Sequence, residues 1–215
     1  MGKLSEAPRE KVLKWLENHV PKPRIEHVLR VESLAIALAR HHSLDVHKAA
    51  RAGLMHDLAK YFKPKKLLAI AKSEGIALDT VYETTPHLLH ADVSAIIARN
   101  EFSVSDPQIL DAIANHTLGK PGMDALSCAV FLADSLEPGR GDTPDLNHLR
   151  HTSQQDLAQA VWMTCDYTFK QLIGKGRLIH PRAVLTRNWF LQSTKTRLSS
   201  SERSVECSQN SDSSH

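Results

Sequence analysis

The chain reads as all-α, a helical bundle extended by a carboxy-terminal helical annex. Apolar residues recur at three- and four-residue intervals almost throughout, the mark of helices that bury one face. Hardly any segment alternates with the two-residue period of a strand, and glycine and proline fall between the periodic stretches, where helices stop.

Taken in order, Val12, Leu13, Trp15 and Leu16 form the apolar side of a first helix within residues 1–23, closed by Pro21 and Pro23. The next helix carries Ile25, Val28, Leu29, Val31, Leu34, Ile36, Ala37 and Leu38. Further helices fit residues 45–60, 64–73, 86–100, 106–116 and 122–136. Ser153 to Ile173 reads as one long helix, with Leu157, Ala160, Val161, Met163, Phe169 and Leu172 on its apolar side and Gly174 and Gly176 as its stop. Pro181 starts a last helix through Trp189 and Phe190; this aromatic end reads as core cover, with a homodimer interface as its alternative use. From Ser193 to His215, nine of 23 residues are serine and large apolar groups almost vanish, so a disordered tail is expected.

A chain of 215 residues with 41% hydrophobic content can bury one sizeable core. Its net charge of +3 is dispersed, without a basic stripe or a base-stacking aromatic pattern, which argues against nucleic acid as a partner. Cys128, Cys165 and Cys207 have no metal-binding or paired spacing and suit a reduced, cytoplasmic setting. The amino end has no apolar signal core, and no stretch approaches the roughly 20 apolar residues of a membrane span.

Against this background six groups stand out: His27, His56 with Asp57, His90, His116 and Asp134, each on or beside an apolar helical run. Burying neutral imidazoles and carboxylates is repaid when a charged species collects them, most economically a metal ion. On a helix His56 and Asp57 would point about 100° apart and grip one ion from adjacent faces, with Lys60 near both at i+4 and i+3. Asp134 ends the apolar run Cys128-Ala129-Val130-Phe131-Leu132-Ala133; the plainer reading is a helix-end aspartate bonded to backbone groups. His27 and His90 face their helices' apolar sides, where a satisfied core histidine is the competing account, and His87 competes with His90. His116 stands where a helix meets the Gly/Pro loop Thr117 to Gly122. The other histidines sit among polar neighbours or beside prolines.

The order His, His-Asp, His, His, Asp on successive helices resembles the metal-dependent phosphohydrolases of the HD superfamily. Glu26 to Val31, Leu54 to Lys60, Leu89-His90, His116 to Met123 and Phe131 to Arg140 resemble the motifs of its YqeK family in particular, with Ala91-Asp92 standing where that family has a Gly-Pro-like pair. The resemblance covers residues 24–140 as an HD phosphohydrolase core, leaving 141–192 as a helical annex packed on it and 193–215 as the tail. It implies symmetrical hydrolysis of diadenosine tetraphosphate to two ADP, with iron as the metal.

Chemistry argues in the same direction. A bound divalent metal lowers the pKa of water from about 15.7 to near 7 and offsets the charge of a phosphoanhydride. Six ligands exceed what one open site needs, so a two-ion centre bridged by Asp57 is expected, with His27, His56 and Asp134 on one ion and His90 and His116 on the other. Nitrogen and oxygen ligands suit iron, manganese or zinc. Asp57 and Lys60 are the catalytic candidates. Lys60 and Arg140 are positioned to clamp phosphate, with solvated surface cations as the plainer reading. Arg24, Thr117, Gly119, Lys120, Gly122 and Met123 are further substrate-binding candidates, the glycines because their backbone can approach a nucleotide closely. Two other functions fit the same ligands: another HD phosphohydrolase acting on a nucleoside phosphate, a guanosine alarmone or a cyclic dinucleotide, and a non-catalytic nucleotide-sensing module.

Overall fold

The computed structural model describes the backbone of residues 8–211 and the side chains of residues 8–197. Its described residues hold helices and no strand. They are α1 (Arg9–His19), α2 (Lys22–His41), α3 (Val46–Met55), α4 (Pro64–Ser73), α5 (Thr80–Thr84), α6 (His90–Phe102), α7 (Pro107–Asn115), α8 (Ala125–Leu136), α9 (Pro144–Gln155), α10 (Leu157–Gly174) and α11 (Pro181–Ser211), with short 3-10 turns at Pro86–Leu89 and Pro138–Arg140. No helix among them is long and apolar enough to cross a membrane.

Aspartates set where the middle helices begin. Asp45 caps α3, Asp79 caps α5, Asp106 caps α7, Asp124 caps α8 and Asp156 caps α10, each accepting from backbone N–H groups of the first turn. An N-cap carboxylate satisfies donors that the helix leaves open and sits at the positive end of its dipole. The cap at Asp156 also corrects the single helix expected from Ser153 to Ile173. The backbone there is extended, at φ −148° and ψ 107°, and divides the stretch into α9, with Thr143 as its own cap, and α10.

α2 lies at the centre, against α3 on one side and α8 on another, and α7 wedges between α3, α6 and α8. Val28, Val31, Ala35, Ala52, Met55, Phe102, Ile113 and Val130 fill the core these helices share. α8 is buried nearly all round because its other face, with Leu132 and Leu136, packs on Leu149, Val161 and Phe190 of the annex helices α9, α10 and α11. A smaller cluster of Leu67, Tyr82, Leu89, Val93 and Leu118 seats α4 and the turn before α6.

Gly53 lets α3 reach α2. A Cβ there would stand 2.9 Å from the Glu32 Cα, a backbone atom that cannot swing aside. Gly53→Ala is therefore expected to destabilise the fold by about 1–3 kcal/mol through overpacking, more than the roughly 1 kcal/mol that alanine gains in helix propensity. A lower urea midpoint checks this, and an unchanged or higher one counts against it.

At the carboxy end α11 continues to Ser211, past Ser193, where composition predicts order to cease. Its middle is tied to the annex where Arg197 pairs with Asp156 at 2.8 Å, and the buried Thr194 hydroxyl donates within the helix to Phe190 O. The remaining expectation of disorder concerns side chains beyond 197 and residues 212–215, which lie outside the described residues.

Candidate metal centre

The doublet His56-Asp57 lies just beyond α3. Residues 56–61 wind in tight turns, with Lys60 N donating to Asp57 O at 3.1 Å and Phe62 N to Ala59 O at 3.0 Å. The helix expected over 45–60 thus ends at Met55. In i→i+3 turns successive residues are about 120° apart, which still separates the two side chains onto different faces. His90 is the first residue of α6 and His116 follows the last of α7, while His27 and Asp134 stand inside α2 and α8. Five segments thereby deliver one group each or the doublet to a single buried spot, where the four imidazoles and Asp57 are at most 5% exposed.

Asp57 is the hub. Its Oδ2 lies 3.5 Å from His56 Nε2 and 3.8 Å from His27 Nε2, and its Oδ1 lies 3.2 Å from His90 Nε2 and 3.6 Å from His116 Nε2. Asp134 Oδ1 lies 3.1 Å from His27 Nε2 and 3.9 Å from His56 Nε2.

The tautomers follow from the outer contacts. His56 Nδ1 meets Gly53 O at 2.7 Å, His90 Nδ1 meets His87 O at 2.6 Å, and His116 Nδ1 meets Ile113 O at 2.7 Å. A carbonyl only accepts, so each Nδ1 carries a proton, and each ring turns its Nε2 inward. Glu137 does the same for His27, at 3.0 Å from its Nδ1, while Arg30 and the Gly139 N–H hold the Glu137 carboxylate. The sequence reading holds Glu137 only as part of the motif Phe131 to Arg140 and gives it no role; the signal available was a carboxylate three residues after Asp134, one helical turn on.

Burial opposes charge on Asp57 and Asp134, but the surrounding imidazoles outweigh it and hold both carboxyls well below the usual range. Burial likewise opposes charge on Glu137, and Arg30 with His27 overcomes it, bringing its pKa to about 2. His56 is shifted up because Asp57 and Asp134 outweigh its burial. His90 is brought down to about 4 by burial, against the pull of Asp57 and with help from Lys60 and His116, so it is neutral and able to donate its lone pair.

Such an arrangement fits a cation. His27 Nε2, His56 Nε2 and Asp57 Oδ1 are buried without a hydrogen-bond partner, and the His90 and His116 Nε2 atoms face each other at 3.1 Å. Lone pairs aimed at one another in a dry interior repel unless a positive charge stands among them. His27, His56 and Asp134, and separately His56, Asp57 and His116, each bring ligand atoms within 4.8 Å of one another.

Beside the cluster a cavity of about 280 Å³ is lined by Lys60, Thr117 and Arg140 together with Thr164, Tyr167 and Phe169 of α10. Lys60 Nζ lies 3.0 Å from His90 Nε2 and 3.9 Å from Asp57 Oδ1; Thr117 Oγ1 lies 3.2 Å from His90 Nε2. Arg140 binds the Asp134 backbone carbonyl at 2.8 Å as well as its carboxylate. Arg24 lies 3.0 Å from Asp57 Oδ2. The rest of the expected loop turns elsewhere. Gly119, at φ +64°, packs on Thr186, Lys120 is exposed, Gly122 faces Trp189, and the buried Met123 joins the core with the annex. None of these four lines the cavity. Of Thr164, Tyr167 and Phe169, which do line it, the sequence reading names only Phe169, as part of the helix's apolar side.

An all-helical bundle that draws four tautomer-fixed imidazoles and two carboxylates into one buried cluster defines the class of HD hydrolases, and the HD domain family matches residues 24–139. The chain is 35% identical over 187 residues to the symmetrical bis(5'-nucleosyl)-tetraphosphatase of Bacillus subtilis, covering 85% of this chain and 97% of that one, and 32% identical to the protein of the same name from Halalkalibacterium halodurans, covering 87% and 99%. A crystal structure of a predicted HD superfamily hydrolase involved in NAD metabolism from Clostridium acetobutylicum superposes with a TM-score of 0.83 at 32% identity, covering 88% of this chain and all of that one. The chain belongs to the YqeK family of HD-domain proteins.

Proposed function

We propose that this protein hydrolyses diadenosine tetraphosphate and related dinucleoside polyphosphates symmetrically to two ADP. The convergence of four inward Nε2 lone pairs on Asp57 carries the reading, and the names of the relatives supply the substrate class. His27, His56 and Asp134 would hold one divalent ion and His90 and His116 a second, with Asp57 shared between them. The oxygen and nitrogen donor set suits iron, which we take as the native metal, and also manganese and zinc. When bound, the metal lowers the pKa of water and offsets phosphate charge.

The chain's own groups do the remaining work. Water adds at one inner phosphorus, the P–O–P link between the two inner phosphates breaks, and each product keeps two phosphates. Lys60, poised between His90 and the cavity, neutralises the phosphate oxygens on which charge builds and can give a proton to the departing ADP. Arg140, its fork shared with Asp134, and Thr117 offer further donors along the same wall. The aromatic rings of Tyr167 and Phe169 give the cavity an apolar side suited to a nucleoside. The setting is the cytoplasm, and the exposed Leu185 and Trp189 of α11 offer a face through which a homodimer would form.

The deciding assay incubates metal-loaded protein with diadenosine tetraphosphate and resolves the products by anion exchange. Two ADP are expected. ATP with AMP overturns symmetrical cleavage, and an unchanged substrate overturns the activity.

A further inference from the structure

We infer that Arg182, on α11, is a positioning residue through which the carboxy-terminal annex holds the His90 and His116 side of the metal centre. This rests on the metal reading above and assigns the annex a part in it, although no proposed ligand comes from beyond α8.

The guanidinium makes five bonds to segments that bear those two histidines, and also meets Tyr82 of α5. Its Nε donates to Gly119 O at 2.6 Å, one terminal nitrogen to Ala114 O and Asn115 Oδ1 at 3.0 Å each, and the other to both Asp92 oxygens at 3.0 and 3.3 Å. Ala114 and Asn115 immediately precede His116, Gly119 closes the turn after it, and Asp92 is two residues beyond His90. One helical turn further along α11, the buried Thr186 hydroxyl donates to Leu118 O at 3.0 Å. α7 ends at Asn115, so Ala114 O is among the carbonyls that a helix leaves without an internal partner. A cation there also suits the negative end of the helix dipole.

The His116 ring takes its aim from Ile113 O, in the last turn of α7, and the His90 ring from His87 O, just before α6. A planar fork that ties the end of α7 to the start of α6 fixes the spacing of those two anchors and so of the two Nε2 atoms. Lysine retains the charge facing Asp92 but cannot span the carbonyl, amide and carboxylate acceptors together.

The test titrates the metal-stripped full-length protein with Mn²⁺ and follows free ion by electron paramagnetic resonance, independently of any nucleotide. Arg182→Met should weaken Mn²⁺ binding by about 10–100-fold, the usual cost of losing an outer support of a metal site, and Arg182→Lys should fall in between. Arg187→Gln is the control: it removes another α11 ion pair, to Asp166 of α10 at 2.8 Å, that touches neither histidine segment, and should keep wild-type affinity. The inference is overturned if Arg182→Lys and any folded Arg182→Met both bind as wild type does, or if Arg187→Gln weakens binding equally, which would make the effect a general loosening of the annex. Wild-type protein that binds no Mn²⁺ overturns the metal reading itself and this inference with it, whereas intact Mn²⁺ binding without ADP production removes only the proposed substrate.

Discussion

Asp57→Ala is expected to bring diadenosine tetraphosphate hydrolysis below detection and to lower the metal content of purified protein. The reason is geometric. One oxygen of Asp57 faces His27 and His56 and the other faces His90 and His116, at 3.2–3.8 Å, so no neighbouring carboxylate can replace both contacts. Asp134 approaches only the first pair. The variant also removes the partner of Arg24, and breaking a buried ion pair costs about 3–5 kcal/mol when the remaining charge has no other outlet. Arg24 is only partly buried and can turn to water, so the penalty should fall below that range and leave a folded protein. Asp57→Asn separates the two effects, because it keeps the volume and a carbonyl oxygen but offers no negative charge to either side. Elemental analysis and anion exchange of the products, run beside a circular dichroism spectrum, measure all three quantities. Full metal content with full turnover in a folded Asp57→Ala protein would dispose of the bridging arrangement.

How legible this centre was depends on the range of the interactions involved. His27, His56, Asp57, His90, His116 and Asp134 could be picked out because a polar group on an apolar helical face is conspicuous in one dimension, and their order added a second constraint. Asp57 turns Oδ2 toward His27 and His56 and Oδ1 toward His90 and His116. Local winding was less accessible. His56 and Asp57 sit on i→i+3 turns that continue the sense of α3, and periodicity does not separate such turns from another turn of α-helix. The break at Asp156 was missed although an aspartate before an apolar run is an N-cap signal, because the apolar spacing continues across it. The glycine loop after His116 was misjudged for another reason. Gly119 and Gly122 do need the left-handed conformations they adopt, at φ +64° and +69°, but what approaches them is Thr186 and Trp189, more than 60 residues away. A positive φ is local information, whereas the identity of the neighbour is tertiary. Glu137 and Arg182 belong to the same category: each is an ordinary charged residue in the written chain and acquires its part only through partners on distant helices.

Lys60→Ala should lower turnover by about 10²–10³, the range found when a single preorganised donor to a transition-state oxygen is removed, while metal content stays unchanged. Lys60 Nζ reaches His90 Nε2 at 3.0 Å and lies 3.9 Å from Asp57 Oδ1, yet its side chain is 30% exposed and borders the cavity. An ammonium there competes with a metal ion for the His90 lone pair, and once that lone pair is engaged elsewhere its donors are free to turn toward the cavity. Its removal therefore takes away a phosphate contact and a proton source but no ligand. The loss should appear mainly in kcat if Lys60 acts on charge that develops as the P–O–P link breaks, and mainly in KM if it binds the ground-state phosphates equally well. Lys60→Arg discriminates further, since a guanidinium retains the charge but does not give up a proton at neutral pH. Recovery of rate in the arginine variant would identify the role as electrostatic, and failure to recover would identify proton transfer. Lys60→Ala protein that has lost its metal would instead place the residue in support of His90, and the catalytic assignment would fall.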